Sequence, residues 1–474
     1  MTLPAKFVER VLRDLGGTEG AALCAALDAE PPVSVRLNPA KTGAGTLPAG
    51  PDAGLPVPEA AGLPALAIAG RVPWSRDGRY LAVRPSFTLD PDFHAGAYYV
   101  QEASSQFVGH LLTAVRTEGA RILDLCAAPG GKTTLYASLA GPDGLVVANE
   151  IDRRRASVLA DNVRKWGTGN VAVTTCEPRA LGDFEAWFDV VAVDAPCSGE
   201  GMFRKDPDAR GEWSEGNVKQ CAARQDEILR EAWRALKPGG TLVYSTCTFN
   251  RDEDEGALER MAAWAGDEIA ESEETAVEDA WGIVCGRVGA FRTFRFYPHR
   301  TCGEGFFAAV ARKSFDAGGR VRAPKARRTV FAAVDRKTAG ELARWVRNPG
   351  GMHFAAVADT CYAWYAAQAD AVRTLSEALP VIYSGVALGQ VFKGVLKPDP
   401  ALAFFDGLNR GALPAAELDD EETLRFLRRQ DIAAGGLAEG MNLVCSRGRA
   451  LGFAKRIGAR VNNLYPNSLR IIKQ

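Results

Sequence analysis

Asp194-Ala195-Pro196-Cys197-Ser198-Gly199 and Tyr244-Ser245-Thr246-Cys247 each place one cysteine at the polar end of an apolar, β-branched run. A thiol is the strongest neutral-pH nucleophile among side chains, and two of them beside one ligand turn point to covalent catalysis. That turn is Asp124-Leu125-Cys126-Ala127-Ala128-Pro129-Gly130-Gly131-Lys132-Thr133, set between a strand and a helix. It is not a phosphate loop, because Cys126 stands where that motif requires glycine, and it does not fit GxGxxG. What remains is a turn of bare backbone at the carboxyl edge of a sheet, where a ligand approaches closely. Residue types and spacing leave open which thiol attacks.

Three carboxylates follow at successive strand ends. Glu150 ends the second strand about 20 residues beyond the turn, where a carboxylate accepts both ribose hydroxyls of a nucleoside. Glu177 ends the third strand, within reach of an adenine amino group, and Asp194 ends the fourth. This arrangement suits S-adenosyl-L-methionine better than a dinucleotide, since no pyrophosphate is repelled. The competing reading for each carboxylate is a helix N-cap. Arg155, one turn into the following helix, is placed to brace Glu150. Arg204 and Lys205 are candidates for substrate phosphate contact. Cys126 reads as a packed small residue whose backbone faces the ligand.

The elements that must position these residues alternate strand and helix, the signature of a doubly wound parallel sheet. Strands are expected at Arg121–Leu125, Leu145–Asn149, Val171–Thr175, Val190–Val193 and Thr241–Ser245, with helices at Lys132–Leu139, Asp152–Trp166 and Gln225–Leu236. Phe291–Phe296 and Phe306–Val310 close the sheet as an antiparallel pair. Residues 1–100 form a small N-terminal α/β appendage and residues 101–313 the catalytic domain. Residues 314–328 are a basic linker, and residues 329–474 an α+β region with short strands near Val381–Tyr383, Val391–Val395 and Leu443–Cys445.

A chain of 474 residues exceeds what one core organises. Ten cysteines without a CxxC pair, and only four histidines, support neither a zinc site nor a disulfide framework, so no metal is expected and reduced thiols are. The start of the chain lacks a signal-peptide pattern and no apolar stretch is long enough to span a bilayer, so a cytoplasmic protein without membrane contact is expected. Net charge is −1 but uneven. From Met441 onward there is no Asp or Glu, yet Arg447, Arg449, Lys455, Arg456, Arg460, Arg470 and Lys473 are present, and 312–328 is similarly basic. Such surfaces suggest a polyanion.

The three motifs, together with Gly201-Met202-Phe203-Arg204-Lys205-Asp206 and Thr248, resemble the Nol/Nop/Sun family of RNA cytosine-5 methyltransferases. Ala97-Tyr98-Tyr99-Val100-Gln101-Glu102-Ala103-Ser104-Ser105 and Leu451-Gly452-Phe453-Ala454-Lys455-Arg456 resemble its bacterial RsmF/YebU-like branch. The resemblance implies a Rossmann-like S-adenosyl-L-methionine methyltransferase core, an N-terminal RNA-binding appendage and a C-terminal PUA-like RNA-binding region. It also implies that Cys247 is the thiolate adding to cytosine C6, that Cys197 aids product release, and that Asp194 and Lys132 hold the base. Cofactor contacts are implied for Cys126, Ala127, Ala128, Pro129, Gly130, Gly131, Lys132, Glu150, Glu177 and Asp194. The family usually has Asp where Glu177 stands. The implied substrate is 16S rRNA or the small ribosomal subunit, bound by a monomer, with the target base flipped from its stack. A tRNA substrate is compatible with the same motifs. A catalytically silent ribosome-assembly factor would lack a thiol or the turn, and both are intact.

Overall fold

The computed structural model describes residues 2–42 and 63–472. Most of the Gly/Pro/Ala-rich stretch after the first N-terminal strand, and Lys473, lie outside the described residues.

The expected parallel core is present. Five parallel strands run side by side in the order Leu236–Thr246, Phe188–Asp194, Arg121–Asp124, Leu145–Asn149 and Val171–Thr174. The order reverses at Arg121–Asp124, and in such sheets a ligand crevice opens at the strand carboxyl ends beside this switch point. Ile122, Leu123, Val146, Val147, Val190 and Val191 are fully buried, which requires helices on both faces. Burial of each such valine or leucine side chain contributes about 1.5–3 kcal/mol. The helices Gly131–Ala140 and Arg153–Trp166 match expectation. The third starts at Glu215 rather than Gln225, because Ser214 caps it by accepting from the Asn217 N–H at 3.1 Å. Its early turns are too polar to show helical periodicity. Phe291–Phe296 and Phe306–Lys313 extend one edge as antiparallel strands, with Val284–Val288 beyond.

The other edge differs from expectation. Val381–Ser384 does not fold with the C-terminal region but pairs antiparallel with Val171–Thr174, so the chain returns to complete the catalytic sheet. The segment 314–328 is docked along the core. The Arg322 and Arg327 N–H groups donate to the Glu185 and Glu377 carbonyls at 3.0 and 2.9 Å, and Arg328 Nη2 donates to Leu379 O at 2.9 Å. Val391–Val395 is the tip of a hairpin between Val386–Phe392 and Val395–Pro398, not a single strand. This hairpin belongs to a five-stranded sheet, and a four-stranded sheet of 415–417, 440–446, 449–457 and 460–463 follows.

The basic C-terminal run is only partly a surface. Arg447 pairs with Asp90, Asp92 and Asp420, and Arg449 with Asp92, at 2.8–3.4 Å. Arg456 Nη1 donates to the Ala434 and Leu437 carbonyls. These arginines therefore fasten the last sheet to the N-terminal domain and to itself. His94 lies in the same joint, with its two ring nitrogens 3.2 Å from Tyr465 Oη and 2.9 Å from the Thr88 carbonyl. The Thr88 carbonyl can only accept, so Nε2 carries the proton and Nδ1 accepts from Tyr465. Burial depresses His94 to about 4 from its ordinary 6.5. A group that must lose its proton to fold contributes stability above pH 6.5, and that contribution is lost as pH falls towards 4, by roughly 3 kcal/mol. Thermal melting from pH 7 to pH 4.5 should show a decline that His94→Gln reduces; parallel declines in both proteins would refute the assignment.

Candidate active site

The two thiols meet. Cys197 follows the strand Phe188–Asp194 and Cys247 follows Leu236–Thr246, which pair in register with Asp194 opposite Ser245. Their Sγ atoms lie 3.1 Å apart. The bond to Cys247, then burial, then the charge of Cys247 hold the Cys197 thiol well above its ordinary value. Cys197 therefore keeps its proton and is suited to donate it towards Cys247.

Lys132, on the first turn of the helix Gly131–Ala140, places Nζ 2.8 Å from Asp194 Oδ2. Ser245 Oγ donates to Asp194 Oδ1 at 2.8 Å. Burial works to lower the Lys132 ammonium, but Asp194 and, more weakly, Cys247 outweigh it and raise its affinity for the proton. A positive charge thus stands beside the thiol pair.

The glycine turn is held from outside. Arg155 Nη2 donates to Ala128 O at 3.0 Å, Asn162 Nδ2 and Tyr99 Oη to Pro129 O at 2.9 and 3.2 Å, and Arg36 Nη2 to Gly131 O at 3.0 Å. In a trans peptide the N–H points opposite the C=O, so anchoring the Pro129 carbonyl outwards turns the Gly130 amide the other way. Gly130 has φ +111°, and a Cβ on Gly131 would come within 3.3 Å of the Tyr99 ring, so both positions suit glycine. Asp124, beneath the turn, accepts from Thr133 Oγ1 at 2.6 Å, and burial pushes it up to about 7.

Glu150 is buried, pairs with Arg155 at 3.1 Å as expected, and accepts from the Asp152 N–H at 3.1 Å. A carboxylate has about four acceptor sites, so capacity for a ligand hydroxyl remains. Glu177 is exposed at the end of the third strand and, although at an N-cap position, makes no side-chain cap bond. Burial holds the Cys126 thiol far above its usual range, in keeping with a packed residue. Arg204 is not available to a phosphate: its side chain is 6% exposed, pairs with Glu304 at 3.1 Å and donates to the Gly303 carbonyl.

Behind the thiols lies a polar network that sequence reasoning missed. Glu253 accepts from the Ser198 N–H and Gln225 Nε2, both at 2.9 Å, and from Asn250 Nδ2 at 2.6 Å. Glu200, fully buried, accepts from Trp213 Nε1, the Phe249 N–H and Asn250 Nδ2 at 2.9–3.2 Å, and pairs with Arg10 of the N-terminal helix Ala5–Leu15. Phe7 of the same helix packs on Phe203, Trp213 and Phe249. Both cysteine loops are thus tied to each other and to the N-terminal domain. The only signals in the sequence were a carboxylate directly after Gly199 and Asn250 three residues before Glu253.

Family comparisons agree with this architecture along the chain. The N-terminal domain of 16S rRNA methyltransferase RsmF matches residues 3–103, 16S rRNA methyltransferase RsmB/F matches 111–312, and the methyltransferase RsmF PUA domain matches 414–471. The ribosomal RNA small subunit methyltransferase F of Shewanella loihica is 32% identical over 418 residues, covering 84% of this chain and 83% of the relative. The chain belongs to the ribosomal RNA small subunit methyltransferase F family. The Escherichia coli O127:H6 member is likewise 32% identical, over 84% of each chain. Among solved structures, a methyltransferase homolog protein from Pyrococcus horikoshii is 26% identical with a TM-score of 0.50, covering 66% of this chain and all of that one. NSun6 from the same organism with SFG is 21% identical with a TM-score of 0.52, covering 65% and 98%, and shares the fold. Between the second and third matched segments lie residues 313–413, the stretch holding the edge strand Val381–Ser384 and the five-stranded sheet.

Proposed function

We propose that this enzyme methylates cytosine C5 in 16S ribosomal RNA through a covalent bond between Cys247 and C6 of the base. Methylation of ribosomal RNA is the activity of its family, and the donor is S-adenosyl-L-methionine. The observation that carries the finer reading is the thiol pair at 3.1 Å, set beside the Lys132–Asp194 pair at the carboxyl edge of the sheet.

S-adenosyl-L-methionine supplies an electrophilic methyl group when bound, and the glycine turn, Glu150, Glu177 and Asp194 would hold it. Cytosine C5 is a poor nucleophile until a thiolate adds across the 5,6 bond. Cys247 forms the S–C6 bond, and the displaced π electrons make C5 an enamine carbon able to take the methyl group. Asp194 and Lys132 hydrogen-bond the base edge and stabilise the charge that develops as the bond forms. Transfer of the C5 proton to water then restores the 5,6 double bond and expels the Cys247 sulfur as thiolate, which the Cys197 S–H stabilises by a hydrogen bond. The N-terminal domain and the PUA region bind the RNA, and the enzyme works in the cytoplasm as a monomer.

The test is to incubate the protein with 16S rRNA and methyl-labelled S-adenosyl-L-methionine and digest the product to nucleosides. Label is expected in 5-methylcytidine. Label in another nucleoside would overturn the cytosine-C5 reading, and label appearing only with tRNA would move the substrate.

A further inference from the structure

We propose that the hairpin Val386–Pro398 is an RNA-contact ribbon, stacking an unpaired base of the substrate on Phe392 and gripping adjacent phosphates with lysines at its tip. The proposal rests on the RNA reading above and places a contact in the stretch between the matched family segments.

The hairpin has two unlike faces. Val391 and Leu396 pair on the inner face and pack into the core of this region, which holds the ribbon in place. On the outer face Phe392 is 71% and Val395 65% exposed, directly opposite each other, and Gln390 and Lys397 form the next exposed pair. Lys393 and Gly394 make the turn, both at positive φ, 52° and 81°. Asn, Asp or Gly adopts this conformation at the first position with less strain, yet a lysine stands there and carries an ammonium to the tip. Lys393 Nζ lies 5.4 Å from the Phe392 ring centroid. Lys337, exposed on the helix Arg336–Ala343, runs against Gly394, where a Cβ would come within 3.2 Å of Lys337 Cε.

The charge is one-sided. Residues 381–398 contain no Asp or Glu. Of the neighbouring carboxylates, Asp335 caps its helix at the Thr338 N–H within range of the Lys337 charge, and Glu341 accepts from the Leu396 N–H and Trp345 Nε1 and pairs with Arg344. An exposed aromatic ring beside Lys393 and Lys397, which make no ion pair among the described residues, fits a polyanion that also offers flat π faces, which describes unpaired RNA. A protein partner would need acids to match the lysines and a larger apolar area than one Phe–Val pair offers. The inward-turned Arg447, Arg449 and Arg456 take three cations out of the C-terminal run, leaving Lys455, Arg460 and Arg470 exposed there.

The experiment measures steady-state methyl transfer by the full-length protein to a 16S rRNA transcript over a range of salt. Phe392→Ala should raise KM for RNA about tenfold with kcat at saturating RNA and the melting temperature unchanged, and Phe392→Trp should restore KM. Lys393→Ala should flatten the slope of log KM against log salt by about one. Unchanged KM and slope in variants of an enzyme that methylates the transcript would overturn the hairpin's role alone. Variants normal on the transcript but impaired on small-subunit particles would reassign the ribbon to a protein partner and overturn RNA contact. A wild-type protein that neither binds nor methylates RNA would remove the RNA reading and the hairpin's role with it.

Discussion

Cys247→Ala is expected to lower methyl transfer by roughly four or more orders of magnitude and to abolish any protein–RNA adduct. Without a sulfur to add at C6, C5 has no route to nucleophilicity, and the remaining groups only bind and orient. Cys197→Ala should behave differently. Its Sγ is 3.1 Å from Cys247 and holds its proton tightly, so removing it leaves bond formation possible but takes away the S–H hydrogen bond that helps the Cys247 sulfur leave as thiolate. Protein should then accumulate covalently on RNA, visible as a species that survives denaturing electrophoresis. Turnover retained in Cys247→Ala would refute the nucleophile. The trapped species appearing in Cys247→Ala instead of Cys197→Ala would exchange the two roles.

Glu200→Ala should cost about 3–5 kcal/mol of stability. The carboxylate is fully buried and serves the Arg10 guanidinium, the Trp213 indole, the Phe249 amide and the Asn250 side chain. Its removal strands a largely buried positive charge and two donors, the Trp213 indole and the Phe249 amide, while Asn250 Nδ2 keeps Glu253 and Thr248 as acceptors. Arg10→Met should also destabilise, and the double variant should cost less than the two single changes together, because they remove the same interaction. Urea unfolding measures all three. A Glu200→Ala protein within 1 kcal/mol of wild type, or strictly additive costs, would show that the network is not cooperative. Because the Gly201 N–H donates to the Cys247 carbonyl at 2.9 Å, the loss should also reach the thiol loop.

How much of this was legible in the sequence follows from distance along the chain. The parallel core, the glycine turn and the two cysteine loops were readable because each is a local pattern: an apolar run followed by a polar end. The meeting of Cys197 and Cys247 then follows from adjacent parallel strands. The Arg155–Glu150 brace was readable because both sit within one strand–helix connection. Glu200, Asn250 and Glu253 were not, since a polar residue in a loop looks alike whether it faces water or a buried donor. The basic run misled for the same reason. Charge along a segment does not reveal that Arg449 meets Asp92, 357 positions away. The edge strand Val381–Ser384 is four residues long, and nothing local ties it to Val171–Thr174.

That edge strand has a consequence for synthesis. Every other strand of the catalytic sheet has left the ribosome by Lys313, yet the flank of Val171–Thr174 stays open until the chain reaches Ser384. During that interval an apolar strand presents unpaired amide and carbonyl groups to whatever lies nearby, the situation that favours intermolecular pairing. The last strand to arrive acts as a closure, so the catalytic sheet is finished only after residues 314–384 have also been made.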